Sequence, residues 1–222
     1  MRRGRTRLPL LAEVAGPPEE ARAWSLRRSD FEALEKALPR LEGQRVILIT
    51  GQREVAPVAA IALAAAASAK GRRTILVECD LARPQLAAYV GLAAAPGLHE
   101  YLRWEAEPAD VLQPVALGGP AANGDADPLA CVCGGRPASK AETLLGLQSF
   151  AHMVEKLRAG YELVLLSGPP LLEEPGPLLT AARQADAIVA GMSASATNDR
   201  AFAKAVKRLP IPALGTIAVG GT

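Results

Sequence analysis

Aromatic residues and cysteines are scarce in this chain of 222 residues. Aromatics make up 4% of it, although half of all residues are hydrophobic, so the core has to be built from Ala, Val, Leu and Ile. The three cysteines, Cys79, Cys131 and Cys133, lie in or beside apolar runs, and their number is odd. We expect buried free thiols in a reducing compartment. Cys131 and Cys133 are two residues apart with no second pair, which argues against a zinc site.

A long apolar run is also missing. The longest such stretch, Val55 to Ala69, has fifteen residues and contains Pro57, whereas a membrane-spanning helix needs about 20. The basic start of the chain is followed by charged and Pro-rich sequence, which is not the pattern of a signal peptide. These features predict a soluble protein of the cytoplasm.

Charge is nearly balanced, with a formal net charge of +2. No basic patch indicates a nucleic-acid partner. The only concentration of charge is at the start, where four arginines fall within seven residues: Arg2, Arg3, Arg5 and Arg7. They are either a solvated, frayed terminus or a weak contact with an anionic membrane surface, worth ~1 kcal/mol per basic residue.

The order of patterns along the chain predicts one domain after a leader. We assign residues 1–28 to a partly flexible leader and residues 29–222 to an α/β domain. Short apolar runs predict buried strands at Val46–Thr50, Thr74–Cys79, Leu129–Cys133, Leu163–Leu166, Ala187–Ala190 and Leu214–Val219. Helices are predicted at Phe31–Leu38 (capped by Ser29 or Asp30), Pro57–Lys70, Lys140–Arg158 and Asp199–Leu209, with a mobile loop at 114–128.

Alternation of strands and helices predicts a three-layer parallel sheet with helices on both faces, as in P-loop NTPases. We expect the first two strands to lie beside Leu163–Leu166 or one strand away from it. In such a sheet, ligands bind at the carboxyl ends of the strands.

The first strand end is the place for a phosphate-binding loop, but the sequence there is poor in the residues such a loop needs. It reads Thr50-Gly51-Gln52-Arg53-Glu54-Val55-Ala56-Pro57. A phosphate loop needs several glycines, a lysine and a Ser or Thr for Mg²⁺. Only Gly51 is present, Pro57 lacks an N–H, and Glu54 adds a negative charge. Arg53 is either the substitute cation or a solvated loop residue.

Two further strand ends carry polar residues. Asp80 follows the second strand, where a carboxylate can hold a metal-bound water or orient a nucleophile, and Arg83 can contact phosphate; alternatively the two simply pair with each other. Glu78, two residues earlier, is a second candidate metal ligand. Ser167 ends the later strand, where P-loop enzymes place an acid that orders magnesium, or it is merely a turn residue.

Several of these segments together resemble the cytoplasmic domain of bacterial tyrosine kinases (BY-kinases, CpsD/CapB-like) of capsule and exopolysaccharide synthesis, which belong to the MinD/ParA-like P-loop proteins. The similar segments are Val46–Thr50, Thr74–Pro84, Pro96–Leu102, Pro137–Leu145 and Tyr161–Pro170, and Leu8–Val14 resembles the piece that follows the membrane anchor in fused members. Compared with the Asp-x-Asp-Leu-Arg-Arg-Pro and Asp-x-Pro-Pro motifs of that family, this chain has Glu78 and Ser167 at two acid positions. It also lacks the phosphate-loop lysine and the tyrosine-rich tail.

The resemblance implies one of two functions. The first is a pseudoenzyme without ATP or Mg²⁺, which regulates polysaccharide export by docking on a membrane chain-length or export protein and can form a homo-oligomer. The second is a divergent ATPase or protein tyrosine kinase that binds ATP and Mg²⁺. In that case Gly51, Arg53, Asp80 and Arg83 would bind the nucleotide, Asp80 and Glu78 the metal, and Asp80 would be the catalytic candidate. A DNA-partitioning protein is a third alternative that lacks a supporting basic patch.

Overall fold

The computed structural model describes residues 8–16, 26–115, 129–196 and 200–220. In this part of the chain, eight strands form one sheet in the order β1-β8-β7-β2-β6-β3-β5-β4. The strands are β1 (Leu10–Ala15), β2 (Val46–Gly51), β3 (Thr74–Glu78), β4 (Gln113–Val115), β5 (Leu129–Val132), β6 (Leu163–Ser167), β7 (Ala187–Ser193) and β8 (Ala213–Gly220). All neighbours are parallel except β4 and β5. The α/β prediction is confirmed, and β6 lies between β2 and β3 as expected.

The described helices cover both faces of the sheet. They are α1 (Arg28–Ala37), α2 (Ala56–Ala69), α3 (Leu86–Val90), α4 (Leu98–Leu102), α5 (Pro108–Val111), α6 (Ala141–Leu145), α7 (Gln148–Gly160), α8 (Pro175–Ala182) and α9 (Arg200–Val206). α1 and α2 contribute to one hydrophobic cluster, whereas α6, α7, α8 and α9 contribute to a second cluster across the sheet. Among the described residues, no helix is long and apolar enough to cross a bilayer.

The Ala-rich helix α2 lies flat against the centre of the sheet. Every residue from Ala56 to Ala67 is buried, and the helix contacts β2, β3, β6 and β7. Alanine side chains add little volume, so the helix backbone can approach the strands closely. The chain passes so near that a side chain at Gly191 of β7 would lie 2.9 Å from the Ala56 Cα atom. This packing fixes the turn between β2 and α2, where ligands would be expected.

The structure corrects several predicted boundaries. The predicted helix Lys140–Arg158 is two helices, because the backbone at Leu147 is extended (φ −68°, ψ 146°) and Gly146 favours helix ends. Pro114 and Val115, predicted as loop, pair antiparallel with β5; residues 116–128 lie outside the described part. α2 begins at Ala56, one residue before Pro57.

The first helix also begins earlier than predicted. α1 starts at Arg28, before the predicted caps, and a 3₁₀ helix over Leu38–Leu41 follows it. Asp30 lies within its first turn, where its carboxylate accepts hydrogen bonds from the backbone N–H groups of Arg27 and Ala15. A carboxylate so placed still accepts a hydrogen bond from a free backbone N–H group at the start of the helix.

Part of the predicted leader is a strand. β1, at the edge of the sheet, pairs in parallel with β8, with Ala12 and Val14 buried while Leu10 is exposed. Its alternation of apolar and exposed positions is the signal of a half-buried strand. Arg2, Arg3, Arg5 and Arg7 lie outside the described residues, as does Asp199, the predicted start of the last helix.

Candidate functional site at the carboxyl edge of the sheet

The chain between β2 and α2 is a tight turn closed by its own backbone. The N–H groups of Val55 and Ala56 both donate to the carbonyl of Gln52, at 3.0 and 2.9 Å, and the Gln52 N–H donates to Gly191 at 3.1 Å. The Gln52 side chain accepts a further bond from the N–H of Ser193 at 2.7 Å. A phosphate cradle requires several N–H groups that point outward to an anion. Here three of them are engaged within the protein.

Gly51 has a steric role in this turn. It pairs in register with Gly191 of β7, and a Cβ atom at Gly51 would collide with the Gly191 carbonyl oxygen. A glycine is therefore required by the close approach of two strands. The role of Gly51 in nucleotide binding remains a prediction, and strand packing is a separate reason for a glycine at this position.

Arg53 lies in the same turn and is surrounded by acidic side chains. Its guanidinium forms a close ion pair with Glu173, with a second hydrogen bond from Nε to Glu173 Oε2 at 3.1 Å. Glu174 Oε1 lies 3.7 Å from Nη2, and Asp80 Oδ2 lies 3.8 Å from Nη1. The hydrogen bond to Glu173 raises the pKa of Arg53, against the opposing effect of burial. Arg53 is thus a bridge between the β3 end and the segment after β6.

Asp80 occupies the end of β3, and its side chain is only 11% exposed. Its Oδ1 accepts a hydrogen bond from the backbone N–H of Arg83 at 3.2 Å. Burial first, and then the charge of Glu174, raises the pKa of Asp80 to about 6, although the Arg83 N–H and the charge of Arg53 act in the opposite direction. A carboxyl group with such a pKa can exchange a proton near neutral pH.

Glu78, the other predicted metal ligand, holds the backbone of three segments together. Its Oε1 accepts hydrogen bonds from the N–H groups of Gln85 and Leu86, and its Oε2 from Gly134 at 2.8 Å. Burial raises its pKa to about 7, despite these three bonds. In the described part of the chain, no group of three or more His, Cys, Asp or Glu side chains could hold a metal ion. The metal role of Glu78 and Asp80 stays a prediction.

Ser167 ends β6 directly beside Glu78. Its carbonyl accepts a hydrogen bond from the Cys79 N–H at 2.7 Å, and the residue is buried. Nearby, the Thr50 hydroxyl donates to the carbonyl of Pro169 at 2.7 Å. The three predicted strand ends therefore do meet at one edge of the sheet.

An open cleft of about 650 Å³ adjoins this cluster through Arg83, whose N–H bonds to Asp80, and Glu174, which lies near Arg53. Its polar lining consists of Arg83, Ser139, Lys140, Glu142, Thr143 and Glu174. Arg83 was predicted as a phosphate contact, and the structure places it in this cleft rather than in an ion pair with Asp80. Glu173, Glu174 and Lys140 were not singled out from the sequence. The sequence signal for Glu173 and Glu174 is that they form an acidic pair shortly after Pro169-Pro170. That signal does not indicate that Glu173 contacts Arg53, 120 residues away.

Solved structures with the same architecture identify the fold. The chimerical protein CapA2B2 superposes with a TM-score of 0.78 at 16% identity, covering 96% of this chain and 94% of that one. The kinase domain of the Escherichia coli tyrosine kinase ETK matches with a TM-score of 0.77 at 16% identity over 97% and 91% of the two chains. The chain has the fold of bacterial tyrosine-kinase domains.

A MinD protein has a related fold, in line with the resemblance seen in the sequence. The septum site-determining protein MinD from Pyrococcus horikoshii, solved with Mg-ADP, matches with a TM-score of 0.58 at 16% identity, covering 78% of this chain and 69% of that chain. No protein-family model and no curated protein matches this chain. The likeness is therefore one of fold, and the chemistry of the edge has to be argued from its own residues.

Proposed function

We propose that this domain uses the kinase fold without its phosphotransfer chemistry, as a non-catalytic regulator or partner in exopolysaccharide or capsule synthesis and export. One observation carries the proposal: the turn at the phosphate-loop position is closed on itself, and its single cation, Arg53, is already paired with Glu173, Glu174 and Asp80. A nucleotide phosphate would have to compete with three carboxylates.

Electrostatics at the edge works against a nucleotide. Asp80, Glu173 and Glu174 face one guanidinium, so the cluster is negative when all three carboxylates are ionised. Carboxylates this close to the Arg53 guanidinium would repel a polyphosphate that approaches it. Since charge-assisted hydrogen bonds contribute ~1.5–3 kcal/mol each, the loss of two or three would move a micromolar site to roughly millimolar affinity or weaker.

A calorimetric titration with Mg-ATP tests this proposal, with the ETK kinase domain as a positive control. We expect no binding tighter than ~1 mM. Micromolar affinity would refute the non-catalytic function. An Arg53→Met variant shows whether any weak Mg-ATP binding depends on Arg53. The matched control is Arg40→Met on the exposed 3₁₀ segment, which leaves the edge of the sheet intact.

The second candidate is a divergent ATPase or protein tyrosine kinase. It is favoured by Asp80, whose pKa of about 6 suits proton transfer and which lies beside Arg83 at the end of β3. ATP hydrolysis and autophosphorylation assays, with Asp80→Asn as the negative control, test it. Activity that Asp80→Asn abolishes would establish this second function in place of the first.

We further propose that the regulator forms a homo-oligomer and acts at the inner face of the membrane through a polysaccharide chain-length or export protein. The support for membrane docking is the resemblance of Leu8–Val14 to the segment that follows a membrane anchor, together with the arginines before it. Because β1 begins at Leu10, the informative deletion is residues 1–7, which spares the sheet. If deleting 1–7 changes neither membrane fractionation nor polymer length, the docking proposal falls. Size-exclusion chromatography tests the proposed homo-oligomer.

A further inference from the structure

The cleft lined by Arg83 and Glu174 contains a second cation, Lys140. Arg83 and Lys140 line it from two separate segments of the chain, and within the described residues neither forms an ion pair. The charge of Arg83 reaches Asp80, whose pKa it lowers, but only the Arg83 backbone N–H bonds to it. Two exposed cations in one open cleft can together bind an oxyanion, and the same cleft is also lined by the carboxylates of Glu142 and Glu174.

The segments that carry these cations are fixed relative to each other. The Ala138 N–H donates to the carbonyl of Leu81 at 2.7 Å, which ties the 137–140 loop to the end of β3. The Lys140 carbonyl accepts from the Leu144 N–H at 3.1 Å, which anchors the start of α6. A site whose walls are held by backbone bonds needs little reorganisation on binding.

The carboxylates in the cleft have separate roles. Glu174 points toward Arg53, at 3.7 Å, so Arg53 partly neutralises its charge. Glu142 lies against Gly176 in the first turn of α8 and forms no ion pair among the described residues. Together with the hydroxyls of Ser139 and Thr143, such acceptors suit a ligand rich in hydroxyl groups.

We propose that this cleft binds a phosphorylated sugar, with the phosphate at Arg83 and Lys140 and the sugar hydroxyls at Glu142 and Ser139. The volume of about 650 Å³ is within the usual range for a small-molecule site. Pro137 and Pro177 supply apolar surface for the C–H face of a sugar ring. The proposal rests on the proposed function in one respect, namely that a nucleotide does not occupy the cleft.

Isothermal titration of the full chain tests the proposal with three probes: glucose 1-phosphate, inorganic phosphate and glucose. We expect glucose 1-phosphate to bind with a Kd below ~1 mM, and inorganic phosphate to bind at least about fivefold more weakly. Glucose alone should give no saturable heat. No saturable binding of glucose 1-phosphate up to about 10 mM would refute the site. Equal affinity for inorganic phosphate would refute the sugar half of the proposal.

Matched variants localise the binding. Arg83→Gln and Lys140→Gln should each lower the affinity for glucose 1-phosphate about tenfold or more, because each removes a charge-assisted contact. Arg40→Gln and Lys156→Gln, at exposed positions elsewhere, should change it by less than about twofold. Unchanged affinity in either cleft variant, at an unchanged melting temperature, would overturn the assignment.

A fifth variant separates the two halves of the ligand. Glu142→Gln should weaken the binding of glucose 1-phosphate without weakening that of inorganic phosphate, since it alters the sugar contact and removes a charge that repels phosphate. Weakening of both probes, or of neither, would contradict the assigned pose. Competition with Mg-ATP distinguishes the two proposals: if Mg-ATP binds tightly and Lys140→Gln abolishes it, both fall. If neither Mg-ATP nor glucose 1-phosphate binds, only the sugar-phosphate site falls.

Discussion

Replacing Arg53 by methionine is the most informative perturbation of this protein. The substitution keeps an unbranched apolar side chain but removes the guanidinium, so Asp80, Glu173 and Glu174 lose the cation that they share. Exposed ion pairs contribute ~0–1 kcal/mol, whereas breaking a buried pair costs ~3–5 kcal/mol. The Arg53 side chain is 16% exposed and that of Glu173 is 51% exposed, so we expect an intermediate loss of about 1–3 kcal/mol in the free energy of unfolding.

The loss should depend on pH in a defined direction. Because the folded-state pKa of Asp80 is raised to about 6, stability is present when Asp80 is protonated and is lost as pH rises through that value. Without Arg53, whose charge lowers this pKa, the cost of ionisation grows. The difference between wild type and Arg53→Met should therefore be larger at pH 8 than at pH 5.

Urea unfolding followed by circular dichroism at the two pH values measures the effect. For a chain of this size, each kcal/mol corresponds to roughly 2–4 °C in Tm, which gives an independent check. Adding Asp80→Asn to Arg53→Met removes one of the unpaired charges and should recover part of the stability. Equal stability of wild type and Arg53→Met at both pH values would show that the guanidinium does not bridge these carboxylates.

Three further changes test the packing around the edge. Glu78→Gln should lower the free energy of unfolding, measured in urea, by about 1.5–3 kcal/mol, because its amide NH₂ replaces one oxygen that accepts from buried backbone N–H groups. A loss below about 0.3 kcal/mol would contradict the hydrogen bonds from Gln85, Leu86 and Gly134. Ala62→Leu, in the fully buried face of α2, should cost ~1–3 kcal/mol through overpacking, and an unchanged Tm would contradict the close packing of α2. Gly51→Ala should cost at least ~1–3 kcal/mol, since its methyl group meets the carbonyl of Gly191; a neutral result would mean that β2 and β7 are further apart.

Elements with a strong local signal were predictable from the sequence. The runs Val46–Ile49 and Leu163–Leu166 are short and continuously apolar, which is typical of strands buried on both faces, and both are central strands. The Ala-rich segment after Val55 likewise predicts a helix, because alanine has a high helix propensity that does not depend on the tertiary contacts of the segment. By contrast, the apolar periodicity of Lys140–Arg158 runs through Gly146 and predicts one helix, whereas the structure breaks it there into α6 and α7.

The candidate site divides in the same way. The sequence alone determined that the turn after β2 has no lysine and too few glycines, because those absences are properties of the chain itself. Only the tertiary structure decided that Arg53 meets Glu173, 120 residues away, and that Lys140 shares a cleft with Arg83. Parallel strands bring distant strand ends to one edge, and the side chains that meet there are chosen by strand order, which no local pattern specifies.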